Sequence, residues 1–121
     1  MKKAKVKLSF NHILVTKNMV NSTLILSADT RNAARDGVIK DIQTVVKVGP
    51  FVKPENGVNI KEGDKVLLDY SKVTAKNAKI LNITLHKETG EYVEDLKKFK
   101  EDETEDFLLL TDREILMVIE E

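Results

Sequence analysis

Phe107-Leu108-Leu109-Leu110-Thr111-Asp112-Arg113-Glu114-Ile115-Leu116-Met117-Val118-Ile119-Glu120 is the stretch that sets the fold class. Two short aliphatic runs, 107–110 and 115–119, flank a polar tetrapeptide. Each run is too short for a buried helix and of the right length for a strand. Thr111 and Glu114 have the spacing of a capping box, which suits a single helical turn linking the two strands.

Elsewhere in the chain, short runs rich in Val, Ile and Leu recur at 12–16, 44–48, 65–70 and 81–85. They are separated by turn chemistry: Val48-Gly49-Pro50, Glu55-Asn56-Gly57, Glu62-Gly63-Asp64 and Glu88-Thr89-Gly90-Glu91. Asn56-Gly57 is the strongest hairpin signal among them. Leu96 and Phe99 fall three apart, which fits a turn or two of helix over 95–100. The pattern predicts an all-β chain, folded as one domain over 1–121 into a compact barrel or sandwich. Such a fold must dispose of its edge strands. A first strand over roughly 5–15 and a last one over 115–121 are free to pair with a neighbouring subunit. The lysines at the start and Glu120-Glu121 at the end are complementary in that pairing, at about 0–1 kcal/mol per exposed pair.

Composition limits the function. A chain of 121 residues holds one core and, in all expectation, one job. With no cysteine there is no disulfide framework, thiol nucleophile or cysteine-ligated zinc, and a reducing, intracellular setting fits. The lysine-rich start lacks the apolar core of a signal peptide and no later segment is long enough to span a bilayer, so the protein is expected to be soluble, with no membrane partner. Twenty basic and twenty acidic residues cancel, which removes the net electrostatic drive toward nucleic acid. No phosphate-cradling glycine loop, nucleophile elbow or His-Glu-x-x-His helix is present in the sequence. His12 and His86 have no partner in motif spacing, and the acidic run 101–106 lacks the glycine and the final glutamate of a calcium loop, so it reads as a solvated hairpin end. The sequence therefore predicts no catalytic residue, no cofactor, no metal site and no enzyme.

One feature breaks the pattern. Leu24, Ile25 and Leu26 form an apolar triplet inside a polar stretch, 17–36, that otherwise reads as loop. The triplet is either one more buried strand or an anchor held out for another protein.

Three segments taken in order bear on that choice. Gln43-Thr44-Val45-Val46-Lys47-Val48-Gly49, then Ile60-Lys61-Glu62-Gly63-Asp64-Lys65-Val66-Leu67-Leu68-Asp69, then 107–120 follow one another in the style of the GroES-like co-chaperonins, and Ile13-Leu14-Val15-Thr16-Lys17 resembles that family's first core strand. Together these matches cover about half of the chain. The resemblance implies a small irregular β-barrel with a mobile loop at about 17–36, a roof-like hairpin at about 50–59 and an inserted hairpin segment at about 71–106. It implies that Leu24, Ile25 and Leu26 dock on a GroEL-like chaperonin ring, with Ser22 and Thr23 setting the approach. It further implies a homo-oligomer, a heptameric ring in the family, whose contacts map onto Lys5, Val6, Lys7, Leu8 and Phe10 of one subunit and Val118, Ile119 and Glu120 of the next. The implied activity is that of a lid enclosing a folding client, with ATP used by the partner, in the cytoplasm or, for a virus-encoded protein, the host cytoplasm. The chain departs from the family in three places. Asn21-Ser22-Thr23 stands where glycines are usual, the spacer 27–42 is longer, and 71–106 replaces a short connection, as in divergent, virus-encoded co-chaperonins.

Two other readings fit a small β-barrel. A binder of single-stranded nucleic acid needs a basic groove with aromatic platforms, and the aromatics here are 5% and scattered. An assembly protein would use the same triplet on a fixed partner without an ATP cycle.

Overall fold

A computed structural model describes residues 4–20, 38–53, 59–69 and 80–120. The strands are β1 (His12–Thr16), β2 (Met19–Val20), β3 (Val38–Ile39), β4 (Ile42–Val48), β5 (Lys65–Leu68), β6 (Leu81–His86), β7 (Thr104–Thr111) and β8 (Ile115–Ile119). The six longer ones coincide with the six aliphatic runs. They form one sheet in the order β6-β7-β1-β4-β5-β8, every pair antiparallel, and β2 and β3 form a two-stranded ladder of their own.

The runs are continuous rather than strictly alternating because the centre of the sheet is buried on both faces. Ile13, Leu14 and Val15 are each fully buried. Ile13 and Val15 point into the larger core, with Val45, Ile60, Val66, Leu68, Leu108 and Leu110. Leu14 points the other way, into a smaller core with Ala4, Leu85 and Phe107. The second face needs a cover, and residues 4–8 supply it: Ala4 is buried, while Val6 and Leu8 pack against that core half-buried. The Lys5 amide donates to the Gly90 carbonyl at 2.9 Å and ties the cover down beside β6.

The first strand is therefore shorter than the sequence predicts. It begins at His12, and residues 4–9 lie over the sheet instead of within it. The break is at Phe10, whose φ of 52° is left-handed, and is closed by the His12 amide donating to the Ser9 carbonyl at 3.1 Å. Gly49 packs directly on this turn. Its amide donates to the His12 carbonyl at 2.8 Å, and a Cβ at residue 49 would lie 2.4 Å from the Phe10 carbonyl oxygen.

The expected barrel is not closed. The strand order ends at β6 and β8, which do not pair with each other. Closure needs two free edges that meet, and the outer edge of β6 is taken by its own chain. His86 N–H donates to the Glu91 carbonyl at 2.9 Å, Val93 N–H donates to the Thr84 carbonyl at 3.0 Å, and Leu85 bridges Tyr92. Bulges between Leu14 and Val15 and between Leu67 and Leu68 bend the sheet around the larger core without joining its ends.

The predicted turns take tighter forms. The helix expected over 95–100 is a single 3₁₀ turn, Leu96–Lys98, whose Asp95 carboxylate accepts from the Lys97 amide at 3.0 Å. The capping box is as read: a 3₁₀ turn, Asp112–Glu114, links β7 to β8, and the Glu114 carboxylate accepts from both the amide and the hydroxyl of Thr111. The acidic run is split, with Glu101–Glu103 in a 3₁₀ turn and Thr104 opening β7.

Candidate functional site

The first pair of strands shorter than three residues marks where the chain leaves the sheet. Beyond Thr16, β2 and β3 make a minimal ladder with Met19 opposite Ile39 and Val20 opposite Val38. The chain thus departs after residue 20 and returns at residue 38 across one antiparallel pair, so the two backbones are held about 5 Å apart. Ser22, Thr23, Leu24, Ile25 and Leu26 lie between these points, outside the described residues, as does Asn56-Gly57.

The foot of this ladder is organised by Gln43, a buried polar side chain with 1% of its surface exposed. It sits on β4 two residues before Val45, so the strand's two-residue period turns it into the core face. An amide in that position must find partners for two donors and an acceptor. Gln43 finds them all. Its Oε1 accepts from the Thr16 hydroxyl at 2.9 Å and from the Asn18 amide at 2.9 Å. Its Nε2 donates to the Asn18 carbonyl at 2.9 Å and to the Lys40 carbonyl at 2.9 Å. Around it, Lys40 N–H donates to the Asn18 carbonyl at 3.0 Å and Thr44 N–H donates to the Thr16 hydroxyl oxygen at 3.0 Å. One side chain joins the outgoing segment, the returning segment and the sheet.

In sequence Gln43 passes for part of a strand motif. A signal was present: in Ile42-Gln43-Thr44-Val45 the glutamine occupies the same phase as a core valine, a place where an amide is held only by specific partners.

The residues assigned to subunit contacts do not form one surface: Lys5–Leu8 lie over the second face of the sheet, tied down beside β6, and Val118–Glu120 lie at the β8 edge. Lys5, Val6, Lys7 and Leu8 lie on the β6 side. Lys5 is exposed and 3.7 Å from Glu91, Lys7 is exposed, and Val6 and Leu8 face their own chain's second core. Val118 and Ile119, half-buried, and exposed Glu120 are at the β8 edge, where among the described residues β8 pairs with β5 alone. Phe10 is 60% exposed and meets the ring of Phe51 edge-on at 5.7 Å.

Both histidines are engaged in local turns. His12 Nδ1 lies 2.8 Å from the Ser9 carbonyl, and His86 Nδ1 accepts from the Glu88 amide at 3.2 Å. The His86 Nε2 is 4.0 Å from Glu103 and its ring meets Phe99 edge-on at 5.3 Å. Among the described residues, no group of His, Asp and Glu is placed to hold a metal ion, and no helix is long and apolar enough to cross a membrane.

Comparison of the chain with protein-family models and with curated proteins found no match.

Proposed function

We propose that this protein is a co-chaperonin: a non-enzymatic lid that caps a GroEL-like chaperonin ring through Leu24, Ile25 and Leu26 and encloses a folding client. The observation that carries the reading is the foot of the excursion. The chain goes out and comes back through a two-pair ladder, Met19 with Ile39 and Val20 with Val38, above a fully hydrogen-bonded Gln43. On this reading the apolar triplet, which the sequence sets between these two fixed points, is the part that recognises the partner.

The magnitudes favour a ring of subunits. Docking three aliphatic side chains yields about 1.5–3 kcal/mol each. Ordering each loop residue costs about 1–2 kcal/mol, so one loop alone binds weakly. Several identical loops on one platform make later contacts effectively intramolecular and gain roughly 10²–10⁴ in avidity. Weak single sites also release together when the partner ring changes state under its own ATP cycle. A head-to-tail ring needs two different surfaces on opposite sides of each subunit. The surfaces proposed for it are the β8 edge, which among the described residues pairs only with β5, and the Lys5–Leu8 segment, and a heptamer is the family's size. The lid would act in the cytoplasm, the host's if the protein is viral.

Replacing Ile25 by Asp tests the proposal. It is expected to abolish capture by a chaperonin ring in the presence of ATP while leaving the lid's own oligomer unchanged. Undiminished capture would remove the anchor assignment, and capture indifferent to nucleotide would favour a fixed assembly partner instead.

A further inference from the structure

We infer that Gln43 is a positioning residue that fixes both described feet of the excursion, residues 16–20 and 38–40, to β4 as one base. The inference rests on the co-chaperonin reading for its consequence in binding, but its structural content stands apart from it.

The geometry gives the side-chain amide the largest share of this role. Main-chain pairing between Asn18 and Lys40 consists of one bond, Lys40 N–H to the Asn18 carbonyl, and the ladder beyond it is two pairs long. A two-residue ladder is marginal by itself. Gln43 adds two bonds on the outgoing side through Asn18, one through Thr16, and one on the returning side through Lys40. The fork reads direction as well as distance: its oxygen requires the Asn18 N–H, and its nitrogen requires two carbonyls. A carboxylate of the same shape satisfies the first and is repelled by the second. Thr16 in turn is held by the Thr44 amide, so the feet are referred to β4 itself rather than to each other. Residues 16–20 and 38–40 are thereby held to the sheet as one unit.

Amide hydrogen exchange on the full chain tests this, comparing the native sequence with Gln43→Glu and Gln43→Met. In the native protein the Asn18 and Lys40 amides are expected to be protected as strongly as those of β1. In both variants exchange at these two amides is expected to quicken on the order of 10- to 100-fold beyond any change at Leu14 and Leu109, since Gln43→Glu loses the two bonds donated by Nε2 and Gln43→Met loses all four. An equal change at all four positions would mean a generally structural glutamine and would overturn the inference. Should the variants not fold, the native protein decides by itself: Asn18 and Lys40 amides that exchange through a low-energy local opening would overturn it. A binding arm uses a chaperonin ring with ATP, where Gln43→Met is expected to weaken capture at least about tenfold, since a small loss per loop is multiplied around the ring. Unaltered capture with opened feet would refute positioning. If the native protein captures no ring at all, the co-chaperonin reading fails, and the exchange comparison still decides the role of Gln43.

Discussion

Adding one methyl group at Gly49 is expected to cost more than its size implies. The new Cβ would lie 2.4 Å from the Phe10 carbonyl oxygen, 3.0 Å from that of His12 and 3.1 Å from that of Ser9, and all three are backbone atoms. No rotamer change relieves such contacts. To restore ordinary contact the Phe10 carbonyl must retreat by about 1 Å, and that carbonyl accepts from the Phe51 amide at 2.9 Å. Overpacking of this kind costs about 1–3 kcal/mol and weakening the Phe51 bond a further 0.5–1.5 kcal/mol or so, giving about 2–4 kcal/mol for Gly49→Ala. Urea unfolding followed by circular dichroism should show the midpoint falling by about 1–2 M with an unchanged slope. Gly63 provides the contrast. Its φ is +92° and the space a methyl group would enter is open to 4 Å, so alanine there meets backbone strain alone, about 1–2 kcal/mol, and leaves the Phe10–Phe51 ring contact undisturbed. A Gly49→Ala protein within about 0.5 kcal/mol of the parent, with Phe10 and Phe51 resonances in place, would refute the close-approach argument.

Glu114→Ala removes the carboxylate that accepts from Thr111, and a loss of about 0.5–2 kcal/mol is expected by the same denaturation measurement, with no loss of β7 or β8. Deleting residues 1–8 uncovers the second core by removing Ala4, Val6 and Leu8, so a destabilisation of about 2–4 kcal/mol is expected, and the ring proposal adds that any oligomer of the full chain becomes monomeric in sedimentation. A truncated chain as stable as the parent would contradict the covering role, and a persistent ring would contradict the subunit contact.

The parts of the fold legible in sequence were those set by local chemistry. Short aliphatic runs mark β1, β4, β5, β6, β7 and β8, and Thr111 with Glu114 marks the turn between the last two, because strand length and capping depend on neighbours in sequence. What was not legible depends on which distant surfaces meet. Leu14 and Ile13 look alike in sequence, yet they serve different cores, and only the position of residues 4–8 over the sheet explains why both are buried. The open sheet has the same origin: the Glu88–Glu91 turn marks the pairing of 91–93 with β6 in sequence, but nothing local shows that this pairing takes the edge β6 would need to meet β8. At the candidate site the apolar triplet was conspicuous by contrast with its surroundings, whereas Gln43 was hidden inside a strand motif. Its importance comes from partners 25 positions away at Asn18 and 27 away at Thr16.

Whether this chain assembles into a lid that engages a chaperonin ring is decided by native mass measurement. The protein alone is expected to give one closed oligomer of defined subunit number. Mixed with a GroEL-like ring and ATP, it should give a single complex of one oligomer per capped ring end, lost when nucleotide is removed. A monomer that forms no complex in any nucleotide state would contradict the lid proposal.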